Sequence, residues 1–574
     1  MIVYRKSEEE SVTAELLREV ASLASRAESG ALRHEAATEL LMETGRLEAG
    51  ITDALFPEAD GFNEMTKAAR RASVLAGHVF VASWEGRLRE AAECAARLTA
   101  ELEGLSVMAL PWRIRTRVPE GYVHYGLYPE VYIKAARDFF ESEKPQDAVC
   151  IGLRSIGTSL SAVVSATLET LGCRVRSFTL RPKGHPFRRK ARCSERLEEA
   201  LKSAGSRFLI VDEGPGLSGT SFSSAARKLS SLGVADNAIF LFPSWVPDGS
   251  SFISAEARLT WGRHKKYSAS FEDLWVRSGR LAREASVEGG LVDISAGSWR
   301  SLFYERASDY PPTHPRHERR KYLGGGSMLL KFAGHGRYGR EKLERAARLA
   351  EAGHGVPVAG LCNGFIKTEF IDARPLRPGD LNQLLLDEMA SYLSFIRRAF
   401  RAAKRMDFDE FALMATRNIT LGLGGEWAER AAGLEAMKGV YESGTPVEVD
   451  GRMHPVEWLL TKKGYRKADT VDHHSDQFFP SSQDISWDIA SAIVEFDMSP
   501  MERRYLVSRY SASAKEKVDG QRLRLYMIAY LAFRLGYASF AAEELAETPE
   551  GPRFSSMSAQ YAGRLKRELL WIAG

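Results

Sequence analysis

The sequence predicts an α/β chain in three parts: an N-terminal helical region, a doubly wound parallel sheet and a bilobal α+β unit. Three observations carry this reading. Short apolar runs alternate with helical stretches between about residues 147 and 243, the alternation that builds a parallel sheet with helices on both faces. Residues 8 to about 105 are rich in Ala, Leu, Glu and Arg at helical spacing. Beyond about residue 296 a Gly-turn hairpin and a helix precede a long helical tract. At 574 residues the chain exceeds what one core organises. The texture shifts place the parts at 1–110, 111–295 and 296–574, the last dividing near 375 into a small and a large lobe.

Composition narrows the function classes. Lys and Arg total 79 against 75 Asp and Glu, a net charge of +4, so no global field argues for nucleic acid and anion binding must be local. Five scattered cysteines fit a reduced, cytoplasmic protein better than a disulfide framework or a zinc site. The opening MIVYRKSEEESVTAEL turns acidic where a signal peptide is apolar. Leu525 to Ala542 comes nearest to a membrane span, but Arg534 and its length indicate a buried helix. The expected partners are small phosphorylated molecules, with no membrane.

In the first part, Leu16, Leu17, Val20, Leu23 and Ala24 mark a helical face, and Gly45, Gly50, Pro57 and Gly61 should break the stretch after it. With no catalytic constellation in view, these helices read as an accessory region through which a homo-oligomer could form.

The second part holds the most informative run. Asp147 to Gly152 is a buried strand followed by Arg154, Ser155, Gly157 and Thr158 and then a helix. Arg174 to Leu180 is the next strand, and it leads into a basic, Pro/Gly-broken loop with Arg181, Lys183, Arg188, Arg189, Lys190 and Arg192. Phe208 to Val211 is a third buried strand, with Asp212 and Glu213 at its carboxyl end, where open α/β sheets bind ligands. Gly216, Ser218, Gly219, Thr220 and Ser221 then form a turn small enough for backbone N–H groups to wrap an anion at a helix N-terminus. The carboxylates can accept hydrogen bonds from vicinal hydroxyls while the turn holds a phosphate. A plain strand–turn–helix explains the glycines alone; the joined acids favour a site.

The run from Arg207 to Leu229 resembles the phosphoribosyl-diphosphate (PRPP) signature of type I phosphoribosyltransferases, here with Glu213 as second acid and Ser218-Gly219-Thr220-Ser221 as the turn. The resemblance implies that Asp212 and Glu213 orient ribose hydroxyls and that Gly216 to Ser221 hold the 5′-phosphate. It further implies that Arg154 to Thr158, with Arg181 and Lys183, grip the diphosphate, with Mg²⁺ bridging ribose and diphosphate oxygens.

In the third part, Arg320 to Leu323, a Gly turn and Met328 to Phe332 read as a hairpin carrying Lys331. A helix from Arg340 to Ala352 and a strand from Gly364 to Ile371, which includes Glu369, follow. Farther on come Asp450-Gly451-Arg452-Met453-His454-Pro455-Val456-Glu457, then Val471-Asp472-His473-His474 and Trp487-Asp488. These pieces, in order, resemble the aminoglycoside-phosphotransferase-like branch of the kinase fold. The resemblance implies a nucleotide site with Lys331, its helix partner Glu344 (or Glu341) and Glu369, magnesium ligands Glu457 and Asp472, and bound ATP. Arg452 stands where the family has its catalytic Asp, and Asp450, two positions early, could substitute as the base only with a rebuilt loop. The expected function is PRPP-dependent glycosyl transfer coupled to an ATP-dependent kinase-like domain, in modified-nucleoside biosynthesis or salvage. The alternative is a nucleotide-sensing regulator whose kinase-like part is a scaffold.

Overall fold

A computed structural model of the chain describes residues 1–3, 8–28, 32–216, 218–250, 252–325, 327–470 and 473–570. Two strands, β1 (Glu8–Val12) and β2 (Arg113–Arg117), form an antiparallel ribbon that brackets helices α1 (Thr13–Glu28), α2 (His34–Leu55), α3 (Glu64–Trp84) and α4 (Leu88–Ser106). The helical spacing of Leu16, Leu17, Val20, Leu23 and Ala24 is explained by packing, because all five are buried in a core shared with the rest of the chain. Helix α5 (Glu130–Glu143) follows β2 and a short turn.

The predicted parallel sheet is present. It contains β3 (Asp147–Leu153), β4 (Arg174–Leu180), β5 (Phe208–Val211), β6 (Ile239–Phe242) and β7 (Lys265–Lys266), in the order β4-β3-β5-β6-β7. Val149 lies opposite Phe208, and Phe208 opposite Ile239. Strand alternation sends Ala148, Cys150, Leu209, Val211, Phe240 and Phe242 to one face, into the core with α1–α5 and α6 (Ile156–Thr170). Val149, Ile151, Phe208, Ile210, Ile239 and Leu241 go to the other, against the helices Glu195–Lys202, Thr220–Ser231 and Ala255–Arg263. Covering on both faces is why these strands are continuous apolar runs instead of alternating ones. The N-terminal helices are part of that covering, since α2 and α3 both pack on α6.

The third part begins with an antiparallel sheet, β8 (Leu291–Asp293), β9 (Lys321–Gly324), β10 (Met328–Phe332), β11 (Val358–Cys362) and β12 (Phe365–Glu369), in the order β11-β12-β10-β9-β8. The helix Gly336–Glu351 joins β10 to β11. The last lobe is helical apart from the ribbon β13 (Trp458–Thr461) and β14 (Gly464–Lys467), and its core is built around Gly520–Glu544. That helix is long and apolar enough to span a membrane, yet most of it is buried within the lobe. Its Arg534 meets the Tyr561 hydroxyl at 3.3 Å and Glu495 at 3.5 Å. All five cysteines are free.

The first and second parts are tied by charge as well as packing. The Arg154 side chain has no exposed surface and pairs with Asp53 at 2.9 Å and with Asp60. Asp60 also accepts the Arg181 backbone N–H at 2.7 Å. Asp60→Ala leaves this guanidinium short of a partner, and the loss expected is about 3 kcal/mol, read as a lower urea midpoint. A variant as stable as the parent contradicts the assignment.

Candidate functional site

Where β3 and β5 lie side by side their connections leave in opposite directions, and the crevice beyond their carboxyl ends is the place such a sheet offers a ligand. A cavity of about 500 Å³ opens there. Ser155 and Arg154 from the β3 loop, Arg181, Lys183 and Arg189 from the basic loop, and Asp212 and Ser221 from the β5 run all line it. Its outer wall comes from Arg46 and Asp53 of α2, in the N-terminal part, and from Arg115 and Arg117 of β2, at the start of the second.

The loop after β3 is held tightly. Ser155 has φ 145°, a backbone region that a non-glycine residue adopts only when its surroundings impose it. Gly157 lets helix α6 sit directly on the end of β5, because a Cβ there would lie 2.6 Å from the Val211 carbonyl oxygen. Thr158 is fully buried, and its carbonyl accepts from Arg70 at 3.0 Å.

The acidic pair is split in role. Asp212 is half-buried and faces the cavity, receiving the backbone N–H groups of Glu213 and Gly157. Glu213 is packed against the turn Gly121–Tyr125, so closely that a Cβ on Gly121 would fall 2.4 Å from its Oε1. Burial pushes Asp212 up to about 6. Burial, with Asp212 and Glu120 nearby, pushes Glu213 up to about 8. In the glycine-rich turn, Gly219 caps the helix Thr220–Ser231 with φ 60°. Ser218 Oγ lies 3.0 Å from Thr220 Oγ1, while Gly216 is exposed. The basic loop folds over this turn: Arg189 donates to Ser221 Oγ at 3.0 Å, and Thr220 Oγ1 donates to the Pro186 carbonyl. Lys183 donates to the Pro57 carbonyl.

Two expectations change here. Arg154 is spent on Asp53 and Asp60, so it braces the loop from beneath and does not project as a free cation. The residues 1–110, read as accessory, supply one wall of the cavity. An arginine that follows a fully buried strand requires a buried carboxylate partner, and that was the available hint to Asp53 and Asp60.

A second cavity, of about 300 Å³, lies between the antiparallel sheet and the helical lobe. Leu329, Lys331, Thr368, Glu369, Phe370 and Ile371 form one side, and Arg452, Glu457, Leu459, Ala468 and Asp469 the other. Lys331 and Glu369 thus share a cleft with Glu457. Glu344 is exposed on its helix, and Lys331 instead pairs with Asp469 at 2.6 Å. Asp450 does not reach the cleft surface: it is 2% exposed and bonded to the Tyr392 hydroxyl and Lys467. Burial would push its carboxyl up, but the Lys467 ammonium overrides this and holds it well below the usual range. Asp472 lies outside the described residues. Asp469, which sequence reading passed over, follows the end of β14 by two positions.

The loop at 450–457 is pinned from behind. Asp488 accepts the N–H groups of Asp450 at 2.7 Å and Gly451 at 2.8 Å, and Trp487 Nε1 donates to the Gly451 carbonyl at 3.2 Å. Within the loop, Arg452 Nε meets Glu457 Oε1 at 2.6 Å. Lys467 Nζ, with no exposed side-chain surface, lies 2.8 Å from Glu457 Oε2, 3.1 Å from Asp450 Oδ2, 3.1 Å from the Arg452 carbonyl and 2.9 Å from that of Asp469.

No protein-family model matches the chain, and no curated protein matches it. Among solved structures it is similar to the choline kinase LicA from Streptococcus pneumoniae, with 17% identity, covering 44% of this chain and 89% of that one at a TM-score of 0.33. A choline/ethanolamine kinase family protein from Mesorhizobium loti is similar at 12% identity, covering 50% and 94%, with a TM-score of 0.34. So is APH(2″)-IIa from a ternary complex with streptomycin and ATP, at 12% identity, covering 48% and 97%, with a TM-score of 0.31. At these identities and scores, function has to be argued from the sites themselves.

The raised carboxyls of the first cavity give a pH test. Glu213 contributes stability that is intact below its ordinary titration range and is lost as pH rises toward its folded value of about 8. Glu213→Gln should therefore raise the melting temperature at about pH 8 and leave it nearly unchanged at about pH 4. An equal gain at both pH values contradicts the burial of this carboxyl.

Proposed function

We propose that the chain is a glycosyl-transfer enzyme acting on a ribose carrying a 5′-phosphate and a diphosphate, with a nucleotide-binding, kinase-like second half. One observation supports this above others: Asp212, the Ser155 loop, Ser221 and three cations of the basic loop converge on a single cavity at the switch point of a parallel sheet. In this reading Asp212 accepts hydrogen bonds from the ribose hydroxyls, with Glu213 behind it. The Ser218–Ser221 turn and the helix N-terminus hold the 5′-phosphate. Lys183 and Arg189 neutralise the diphosphate as its bond to the sugar breaks, Arg181 being tied, like Arg154, to Asp53, and the substrate enters as its magnesium complex. Catalysis is then positioning and charge stabilisation, with no covalent enzyme intermediate. Arg115 and Arg117 of β2 face the same cavity and would meet the acceptor.

For the second half, Lys331 and Glu369 in the cleft support nucleotide binding. Arg452, ion-paired to Glu457 where the kinase resemblance calls for a base, argues against phosphoryl transfer. This arrangement also favours a second reading, a nucleotide-responsive regulator in which the first cavity binds its ligand without turnover.

The two readings separate on one experiment. PRPP with Mg²⁺ should raise the melting temperature and, with the correct acceptor, release diphosphate. Asp212→Asn should lower that release about a hundredfold, and Lys183→Ala should act mainly on KM. Stabilisation with no diphosphate released from any purine, pyrimidine or amine acceptor supports the regulator; no stabilisation at all refutes both.

A further inference from the structure

The kinase resemblance calls for magnesium in the C-terminal cleft, and the donor set can be tested against it. Asp450, Glu457 and His473 bring ligand atoms within 4.8 Å of one another, the kind of cluster that could take a divalent ion. That space is already served by protein cations. The Lys467 ammonium has three N–H donors and lies within 3.1 Å of Asp450, Glu457 and the carbonyls of Arg452 and Asp469. Both Glu457 oxygens are engaged, Oε2 by Lys467 and Oε1 by Arg452. Asp469 Oδ1 is held by Lys331 at 2.6 Å, and its Oδ2 lies 3.8 Å from His473 Nε2. Lys467, Arg452 and Lys331 thus balance Asp450, Glu457 and Asp469, three charges against three.

Magnesium requires oxygens at about 2.0–2.1 Å in octahedral array, whereas this cage is spaced for hydrogen bonds from an ammonium. Entry of the ion would require Lys467 to leave a site where its side chain has no exposed surface, and the elements around it offer further positive charge. Arg345 lies just behind, donating to the carbonyls of Thr470 and Val449, and Lys342 donates to the Ala333 carbonyl. Among the described residues, which do not include Asp472, the donors of the cleft do not fit a magnesium site, because Lys467 fills the space between them.

We infer that the C-terminal cleft binds a nucleotide without a divalent cation, with the buried Lys467 ammonium organising Asp450, Glu457 and the Asp469 backbone where a kinase would place its metal. This rests on the reading of the cleft as a nucleotide site. Lys331, already paired with Asp469, then meets the nucleotide phosphates directly, and the cleft recognises phosphate charge without preparing phosphoryl transfer.

The test is equilibrium binding of ATP to the full chain, by calorimetry, once in EDTA and once in magnesium. The inference expects dissociation constants equal within about twofold, and a tenfold or greater weakening in EDTA, about 1.4 kcal/mol, overturns it. Failure to bind ATP in either buffer overturns the nucleotide assignment of the cleft itself, a distinguishable outcome. Lys467→Met provides a second reading: it uncovers the carboxylates, so manganese should raise the melting temperature of this variant and not of the parent. Equal manganese stabilisation of both proteins overturns the inference. Should the variant not fold, the paired measurements on the parent still decide.

Discussion

Residues 119 to 133 are the constraint on which both sites depend. This segment leaves β2, makes the turn Gly121–Tyr125 and enters α5, and nearly every residue in it is buried between the two sheets. Toward the parallel sheet, Gly121 presses on Glu213, the Tyr122 hydroxyl meets Ser159 Oγ at 2.8 Å, and Tyr132 donates to the Asp212 carbonyl at 2.7 Å. Toward the antiparallel sheet, Tyr128 donates to the Asn363 carbonyl at 2.6 Å and packs among Phe271, Trp275, Phe332 and Phe365. Toward the cleft, Arg319 spans from His124 to Asp476. The backbone that backs the acidic pair is therefore the same backbone that supports the cleft.

This arrangement explains why the apolar core runs without a break from Leu16 to Phe365. It also explains where charge is tolerated inside the molecule. Arg154 is buried against Asp53 and Asp60, and Lys467 against Asp450 and Glu457; each is a cation whose removal would strand carboxylates, or the reverse. In the first cavity Asp212 faces space with Glu213 packed behind it, and both hold their protons more tightly. In the second the acids are already answered by the protein. The two sites differ chemically for that reason.

Much of the fold was legible in the sequence, for reasons that can be named. β3, β5 and β6 are covered on both faces, so they read as unbroken apolar runs, and the Gly turn between β9 and β10 announced its hairpin. Asp212, Ser155 and Ser221 were legible because strand, acid and small-residue turn are contiguous. Partners that meet only through the fold were not: Arg154 is 101 residues from Asp53 and 94 from Asp60. Lys331 was matched to Glu344 by order along the chain, but the helix turns Lys342 and Arg345 inward and leaves Glu344 in solvent. Asp469 was passed over because the end of a two-strand ribbon is set by its register, Trp458 opposite Lys467, which no local pattern declares.

Hydrogen exchange of the full chain with and without PRPP and magnesium tests the central claim, that the crevice of the parallel sheet is where a phosphorylated ribose binds. The account predicts slowed exchange in the segments 154–158, 181–190 and 218–222, with the loop 450–457 unchanged. Protection of 450–457 while 154–158 and 218–222 exchange as before would contradict it.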